Sequence, residues 1–229
     1  MRIAQVTAVI AAAGLLTAAP AAGAQPACGA LGGTVDADRV CRVHAESPNY
    51  TLDFAFPTDY PDQQPLTDYL TQTRDGFVNV SDMPNARDLP YVLDAKGTAY
   101  RSGTGTGGTR SLVLEVYQNV GGLHPQTWYK AFNYDLAKGA PITFDTLFDA
   151  EADPMAVIFP VVQRELRRQT GIDQPIPAGQ GMDPSHYQNF AITDDEVIFF
   201  FGQGELLPES AGAARAAVPR AELAEVLAR

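Results

Sequence analysis

The stretch Arg110–Phe148, RSLVLEVYQNVGGLHPQTWYKAFNYDLAKGAPITFDTLF, decides the fold of this chain. In its first part apolar residues recur at every second position, at Leu112, Leu114 and Val116. This period of two is typical of a β-strand. The pair Gly121-Gly122 follows the run and predicts a reversal of the chain, because glycine adopts backbone conformations that other residues resist.

A second alternating run follows His124-Pro125. One predicted face carries Thr127, Tyr129, Ala131 and Asn133, and the other carries Trp128, Lys130, Phe132 and Tyr134. Lys138-Gly139 predicts another turn, after which Ile142–Phe144 is expected to return as a short strand. The whole stretch therefore predicts an antiparallel meander with aromatic side chains on both faces.

Several parts of this stretch resemble a known domain. The G-G-x-H-P loop, the aromatic strand ending in F-N-Y-D and the I-T-F-D-T-L-F segment resemble the extracytoplasmic domain of RsiV-type proteins, which occurs in lysozyme-sensing anti-sigma factors. Other segments resemble the mycobacterial secreted immunogenic antigens and the related cell-wall carboxylesterases: Tyr60–Gln64, Gln72–Phe77, Tyr187–Phe190 and Phe199–Leu207. The resemblance implies a secreted cell-envelope antigen, or a carboxylesterase that acts on short acyl esters.

The first residues have the pattern of an export signal. Met1–Ala24 contains one early basic residue, Arg2, an apolar run and the small residues Ala22-Gly23-Ala24 at a cleavage position. This pattern predicts a secretory signal peptide over residues 1–24 and a mature domain over residues 25–229. We therefore expect a protein that is secreted, extracellular or held in the cell wall, with no transmembrane anchor after cleavage.

Charge restricts the partners that the chain can attract. The formal net charge is −11 at pH 7. Such an acidic chain is not suited to nucleic acid or to an anionic lipid surface. The expected partners are an extracellular protein or an envelope ligand, or a small ester substrate. A cationic partner would suit the charge, although the charge also serves simply to keep an exported protein soluble. The sequence leaves the oligomeric state open.

Cys28 and Cys41 are the two cysteines of the sequence. In an exported protein they are expected to form a disulfide that ties down the N-terminal segment. A structural metal site needs three or four ligands close together, and the three histidines are scattered along the chain. The sequence therefore predicts no metal site and no cofactor.

The remaining elements favour an α+β fold with a mainly antiparallel sheet and packed helices, in a single domain. Helices are predicted over Asp62–Val80, from Asp153-Pro154 onward, and from Pro219 to the C-terminus. Strands are predicted at Val40–Ala45, Tyr50–Phe56, Tyr91–Arg101, Ala191–Thr193, Glu196–Phe201 and Ala213–Val218. The domain divides into a strand–helix part, about 40–101, and a meander–helix–hairpin part, about 110–229.

An ester hydrolase needs a nucleophile, a base and donors for the oxyanion. The nucleophile-elbow pattern G-x-S-x-G is absent from the sequence. The best candidates are His124 as the base, Ser185 as the nucleophile and Asp195 as the residue that orients the base. The N–H groups of Gly121 and Gly122 could donate hydrogen bonds at the same loop.

A non-catalytic binding module is the alternative. In this interpretation His124 shapes the loop, and a ligand contacts Gly121, Gly122, Trp128 and Tyr129. Aromatic residues of this kind can line a groove for a glycan or lipid, but in strands they also serve as core. The sequence leaves open which interpretation holds, and whether the protein is an enzyme at all.

Overall fold

The computed structural model describes residues 24–122 and 124–228. The signal peptide predicted for residues 1–24 lies outside the described residues, apart from Ala24. Strands are β1 Thr34–Val35, β2 Val40–Glu46, β3 Tyr50–Pro57, β4 Tyr91–Ser102, β5 Thr109–Asn119, β6 Gln126–Asp135, β7 Ala140–Pro141, β8 Phe190–Ile192, β9 Glu196–Phe201 and β10 Ala214–Pro219. Helices are α1 Ala24–Ala30, α2 Gln63–Ser81, α3 Phe144–Leu147, α4 Pro154–Thr170 and α5 Ala178–Gly181, and short 3₁₀ helices span Pro184–Tyr187 and Glu209–Ala211.

The first seven strands form one sheet in the order of the chain, β1 to β7. All neighbours in this sheet are antiparallel except β3 and β4, which are parallel and are joined through α2. The longest pairings are those of β4 with β5 and of β5 with β6. The predicted meander therefore forms the long central hairpin of this large sheet.

Helix α2 covers one face of the large sheet. Leu66, Leu70 and Phe77 are buried on this helix, where their spacings of four and seven residues place them on one side. They join a core that includes three residues of β5, Leu112, Leu114 and Val116, and the half-buried β6 residues Trp128, Phe132 and Tyr134. The two faces of β6 predicted from the alternation are confirmed.

A second sheet, β10-β9-β8, covers part of the opposite face of the large sheet. Val113 of β5 packs there with Ala191 and Phe200. On its other side the small sheet packs against α4 in the largest group of buried residues, which includes Ile158, Val162, Phe199 and Phe201. The layers are thus α2, large sheet, small sheet and α4, and the predicted α+β class is confirmed.

Local sequence sets the ends of α4. The side chain of Asp153 accepts a hydrogen bond from the backbone N–H of Ala156 at 3.3 Å, and Pro154 occupies the first turn. Proline suits this position because its missing N–H would have no helical partner there. Gly171 ends the helix with φ of 70°, which favours glycine.

Two predicted elements are wrong. The strand expected at Ile142–Phe144 is replaced by the two-residue β7 and by α3, which begins because Thr143 and Thr146 form a capping box. The terminal helix expected from Pro219 is a series of turns. There Asp149 and Ala228 donate backbone hydrogen bonds to the carbonyls of Val226 and Leu147, so the C-terminal segment pairs with the α3 region.

The predicted disulfide is confirmed. Cys28 and Cys41 are bonded and fully buried, and they join the start of the described chain to β2. Among the described residues, no helix combines the length and the apolar character needed to cross a membrane.

Removing the disulfide should destabilise the fold mainly by freeing the unfolded chain. The cysteines are 13 residues apart, so the double variant Cys28→Ser/Cys41→Ser should lose about 3 kcal/mol of unfolding free energy. Urea denaturation measures this difference. Wild-type protein kept under reducing conditions is the control and should match the variant, whereas an unchanged midpoint would contradict the prediction.

Two glycines should respond in opposite directions to alanine. A Cβ at Gly97 in β4 would lie 2.8 Å from the Cβ of Phe56, so Gly97→Ala should cost about 1–3 kcal/mol through overpacking. Gly76 lies in α2 with open space around it, so Gly76→Ala should stabilise by about 0.5–1 kcal/mol. Thermal and urea unfolding of both variants compare them directly, and equal effects would contradict the packing described here.

Candidate functional site

The three predicted catalytic residues lie at two different ends of the molecule. His124 is exposed and comes just before β6, at the end where β5 finishes. Asp195 is exposed on the β8–β9 turn, next to Asp194, whose carboxylate accepts a hydrogen bond from Gly103 N–H at 2.7 Å. Gly103 belongs to the turn that precedes β5.

The length of β5 therefore separates His124 from Asp195. This strand runs from Thr109 to Asn119, about 33 Å at a rise of about 3.3 Å per residue. A carboxylate orients an imidazole only within hydrogen-bond distance. The structure does not bring the two residues together, because the β8–β9 hairpin points toward the β4–β5 turn.

The predicted binding residues also divide between different surroundings. Gly121 has φ of 74°, and its N–H already donates to the side chain of Asn119 at 3.1 Å. Trp128 donates from Nε1 to the Tyr69 hydroxyl at 2.8 Å, on the α2 side of β6. Tyr129 lies on the opposite face, where its hydroxyl donates to Glu115 at 3.2 Å. These residues do not form one surface.

A different pair of polar residues, His186 and Glu205, lies beside the end of β6 that is nearest to His124. Nδ1 of His186 lies 3.4 Å from Oε1 of Glu205, and both side chains are 26% exposed. The other oxygen of Glu205 accepts a hydrogen bond from Gly202 N–H at 2.7 Å. The turn 202–205 is held on β6, because Gln203 N–H donates to the carbonyl of Thr127 at 2.8 Å.

Tyr187 fixes the position of His186. Its side chain is fully buried, and its hydroxyl donates to the carbonyl of Gly181 at 2.6 Å. Its ring contacts Phe199 and Phe201 edge-on, with centroids 5.3 and 5.5 Å away. With Tyr187 held in the core, the preceding imidazole is kept at the surface beside Glu205.

Ser185 is next to this pair and is exposed. Asp183 caps the short 3₁₀ helix by accepting a hydrogen bond from Ser185 N–H at 2.9 Å. The hydrogen bond from the Ser185 N–H, together with the neighbouring Ser185 hydroxyl and the nearby His186, lowers the pKa of Asp183 below its usual value.

A second histidine–carboxylate pair lies elsewhere on the surface. Nδ1 of His44 is 2.8 Å from Asp53, but the two side chains are 61% and 54% exposed on neighbouring strands. The hydrogen bond that His44 donates to Asp53, and the negative charge of that carboxylate, raise the pKa of His44. The His186–Glu205 pair is more buried and stands beside a hydroxyl, so it is the better candidate for acid–base chemistry.

The arrangement at His186 has a simple chemical capability. When Nδ1 carries the proton and donates to Glu205, Nε2 has a free lone pair that can accept a proton. The carboxylate would then stabilise the imidazolium that forms. In the described parts of the chain, no three His, Cys, Asp or Glu side chains come together as metal ligands.

Two groups of known proteins are similar to the whole chain. Esterase Rv3036c of Mycobacterium tuberculosis is 56% identical over 223 residues, which cover 97% of this chain and 98% of that protein. Immunogenic protein MPT64 of Mycobacterium tuberculosis and Immunogenic protein MPB64 of Mycobacterium bovis are each 46% identical over 215 residues, which cover 94% of this chain and 92% of theirs. The chain belongs to the family that contains this mycobacterial esterase and these immunogenic proteins. The resemblance to mycobacterial immunogenic antigens and esterases is thereby confirmed.

Residues 145–221 also match a family described as a protein of unknown function, DUF3298. A DUF3298 family protein from Pseudomonas aeruginosa has a TM-score of 0.58 and 14% identity, covering 85% of this chain and 96% of its own. A DUF3298 member from Bacteroides fragilis has a TM-score of 0.54 and 11% identity, covering 85% of this chain and 95% of its own. At these identities the likeness shows the fold alone.

Glu205 was not predicted as a partner of His186. The two residues are 19 positions apart, and the segments that carry them are joined by a hairpin. The one local signal was the position of Glu205 in the turn-forming segment G-Q-G-E, which follows a strongly apolar strand. Nothing in that signal indicates which histidine lies opposite.

The pair predicts a defined tautomer for His186. In the neutral imidazole the proton should reside on Nδ1, because Glu205 accepts from that atom. Long-range ¹⁵N–¹H correlation spectra report the tautomer directly. Glu205→Ala should remove this preference, and Glu209→Ala is a matched control. An Nε2–H tautomer in the wild-type protein would contradict the proposed orientation.

Proposed function

We propose that this protein is an exported carboxylesterase that hydrolyses short acyl esters. The observation that carries the proposal is the 56% identity, over 97% of the chain, to a protein named as an esterase. The His186–Glu205 pair supports it, because it supplies an oriented base at a partly exposed position. Export is supported by the composition of Met1–Ala24 and by the disulfide, which persists in oxidising compartments.

We place the proton transfer on His186. Its Nε2 takes a proton from the nucleophile as the nucleophile's oxygen attacks the carbonyl carbon of the ester. The bond from the carbonyl carbon to the alkoxide oxygen then breaks, and His186 returns the proton to the alkoxide. Glu205 holds the ring in position throughout and balances the charge of the imidazolium.

Two nucleophiles fit this position. Ser185 would form an acyl-enzyme that water then hydrolyses. Consecutive side chains on a 3₁₀ helix point about 120° apart, however, which separates Ser185 from the imidazole next to it. A water molecule activated by His186 avoids this constraint and releases the acid without an acyl-enzyme.

Hydrolysis of p-nitrophenyl acetate and butyrate by the purified mature domain tests the proposal. His186→Ala should lower kcat/KM by about 10²- to 10⁴-fold, the usual contribution of a general base. Ser185→Ala should reduce the rate to a similar degree if serine is the nucleophile, and only slightly if water is. Burst kinetics, which report an accumulating acyl-enzyme, separate these two routes.

The other two histidines provide matched controls. His44→Ala removes an exposed imidazole on β2, and His124→Ala removes the base predicted from the sequence. Both variants should keep the wild-type rate, with unchanged circular dichroism. Loss of activity in His124→Ala alone would indicate that the site lies in the loop that precedes β6. If the wild-type protein hydrolyses these esters no faster than a heat-denatured control, the esterase proposal is wrong.

A non-catalytic binding module is the second candidate. The observation that favours it is the 46% identity to MPT64 and MPB64, which are named for immunogenicity and not for a reaction. The net charge of −11 suits a cationic extracellular protein, such as a lysozyme-like one. Calorimetric titration with lysozyme at low and physiological salt tests this, and absence of heat at low salt would count against it.

A further inference from the structure

A cavity lies on the face of the large sheet opposite α2, beside the edge of the small sheet. Its volume is about 290 Å³. Strands β4, β5, β6 and β10 and the end of α4 contribute the side chains that define its character: Thr98, Tyr100, Glu115, Tyr129, Gln169 and Arg215. Only the packing of the small sheet and α4 against the large sheet brings these residues together.

Three aromatic side chains form an interlocked group at this cavity. Phe200 is buried, and the rings of Tyr129 and Tyr100 pack against it with centroid distances of 5.2 and 5.9 Å. Both tyrosines remain partly exposed. Because Phe200 holds them, they provide a preorganised aromatic surface that does not have to be ordered when a ligand binds.

Two opposite charges line the same cavity without pairing to each other. Glu115 accepts a hydrogen bond from the hydroxyl of Tyr129 at 3.2 Å. Within residues 24–122 and 124–228, neither Glu115 nor Arg215 has an ionic partner within 4 Å. Burial, followed by the charge of Glu115, raises the pKa of Tyr129 to about 12, so its hydroxyl stays protonated and keeps Glu115 in place.

We propose that this cavity binds a neutral saccharide of one or two rings. The hydroxyl groups of a sugar both donate and accept hydrogen bonds, whereas Glu115 only accepts and Arg215 only donates. Gln169 and Thr98 can do either. The C–H face of a pyranose ring is apolar and suits the tyrosine surface. The cavity volume lies at the small end for ligand sites, which favours a short saccharide.

Charge distinguishes a neutral sugar from an acidic one. The chain as a whole carries a net charge of −11, and Glu115 adds a negative charge within the cavity. An anionic saccharide would therefore meet repulsion that a neutral one avoids. The arginine serves as a hydrogen-bond donor to hydroxyl groups, with the fixed planar geometry that suits two neighbouring oxygens.

This cavity is separate from the proposed esterase site. Its lining includes none of His186, Ser185 and Glu205. Two strands connect the two places. In β9, Phe200 comes two residues before Gly202, whose N–H donates to Glu205, and in β6, Thr127, which holds the 202–205 turn, comes two residues before Tyr129. The binding proposal therefore does not rest on the hydrolysis proposal, and each can fail without the other.

Saturation-transfer-difference NMR of the whole mature protein tests the proposal. The probes are cellobiose, maltose and N,N′-diacetylchitobiose, offered separately at millimolar concentration. We expect transfer to the ring protons of at least one of them, strongest on the face that contacts the tyrosines. Absence of transfer to all three would overturn the proposal.

Variants of the cavity residues test whether the sugar binds in this cavity. Arg215→Ala removes a donor to the sugar, and Tyr129→Phe removes the hydroxyl that keeps Glu115 in place. Both leave the ring packing in place, and each should weaken the affinity for the bound disaccharide about tenfold or more. Arg39→Ala removes the same charge from the β1–β2 turn and should leave the affinity unchanged. If both cavity variants bind as tightly as the wild-type protein, the sugar binds elsewhere and the assignment is overturned. Unchanged ester hydrolysis in these variants would confirm that the two sites are independent.

Discussion

Burial of β5 on both faces is the constraint on which the rest of the structure depends. Leu114 faces α2, and its neighbour Val113 faces the small sheet. A strand with apolar side chains on both faces is stable only when a layer of structure covers each side. The crossover helix between β3 and β4 supplies one layer, and the β8–β9–β10 sheet supplies the other.

The layer that covers the second face also forms the two proposed sites. Ser111 of β5 accepts a hydrogen bond from the N–H of Ile192, and Asn133 of β6 donates to the carbonyl of Phe190, so β8 is held against β5 and β6. Strand β9 then returns toward the start of β6. This path brings the turn 202–205 beside His186, and it leaves the aromatic cavity open at the edge of β10.

Alternate side chains of β9 pack into two different layers. Phe199 and Phe201 face α4, whereas Phe200 faces the large sheet and holds Tyr100 and Tyr129. A run of three phenylalanines on a strand is explained by this two-sided burial. The same strand thus belongs to the core, supports the aromatic cavity and leads into the turn 202–205, whose Glu205 contacts His186.

The local periodicity of apolar residues was sufficient to predict most strands and helices of this fold. The alternation of β5 and β6, the helix that became α2, and the Asp153-Pro154 start of α4 follow from interactions within a few residues. The two wrong elements lie where such signals are short. At Thr143 a capping box starts a helix within a segment that alternates like a strand, and after Pro219 the chain pairs with the α3 region instead of forming its own helix.

The sequence by itself determined most of the strands and helices, the disulfide partners and the resemblance to a secreted antigen and esterase family. Only the tertiary structure decided which polar groups meet: His186 contacts Glu205, whereas Asp195 lies a strand's length from His124. The reason is physical. The periods of two residues in strands and of three to four in helices can be recognised from neighbouring residues in the sequence. Contacts between residues that are distant in the sequence depend on how one layer packs on another.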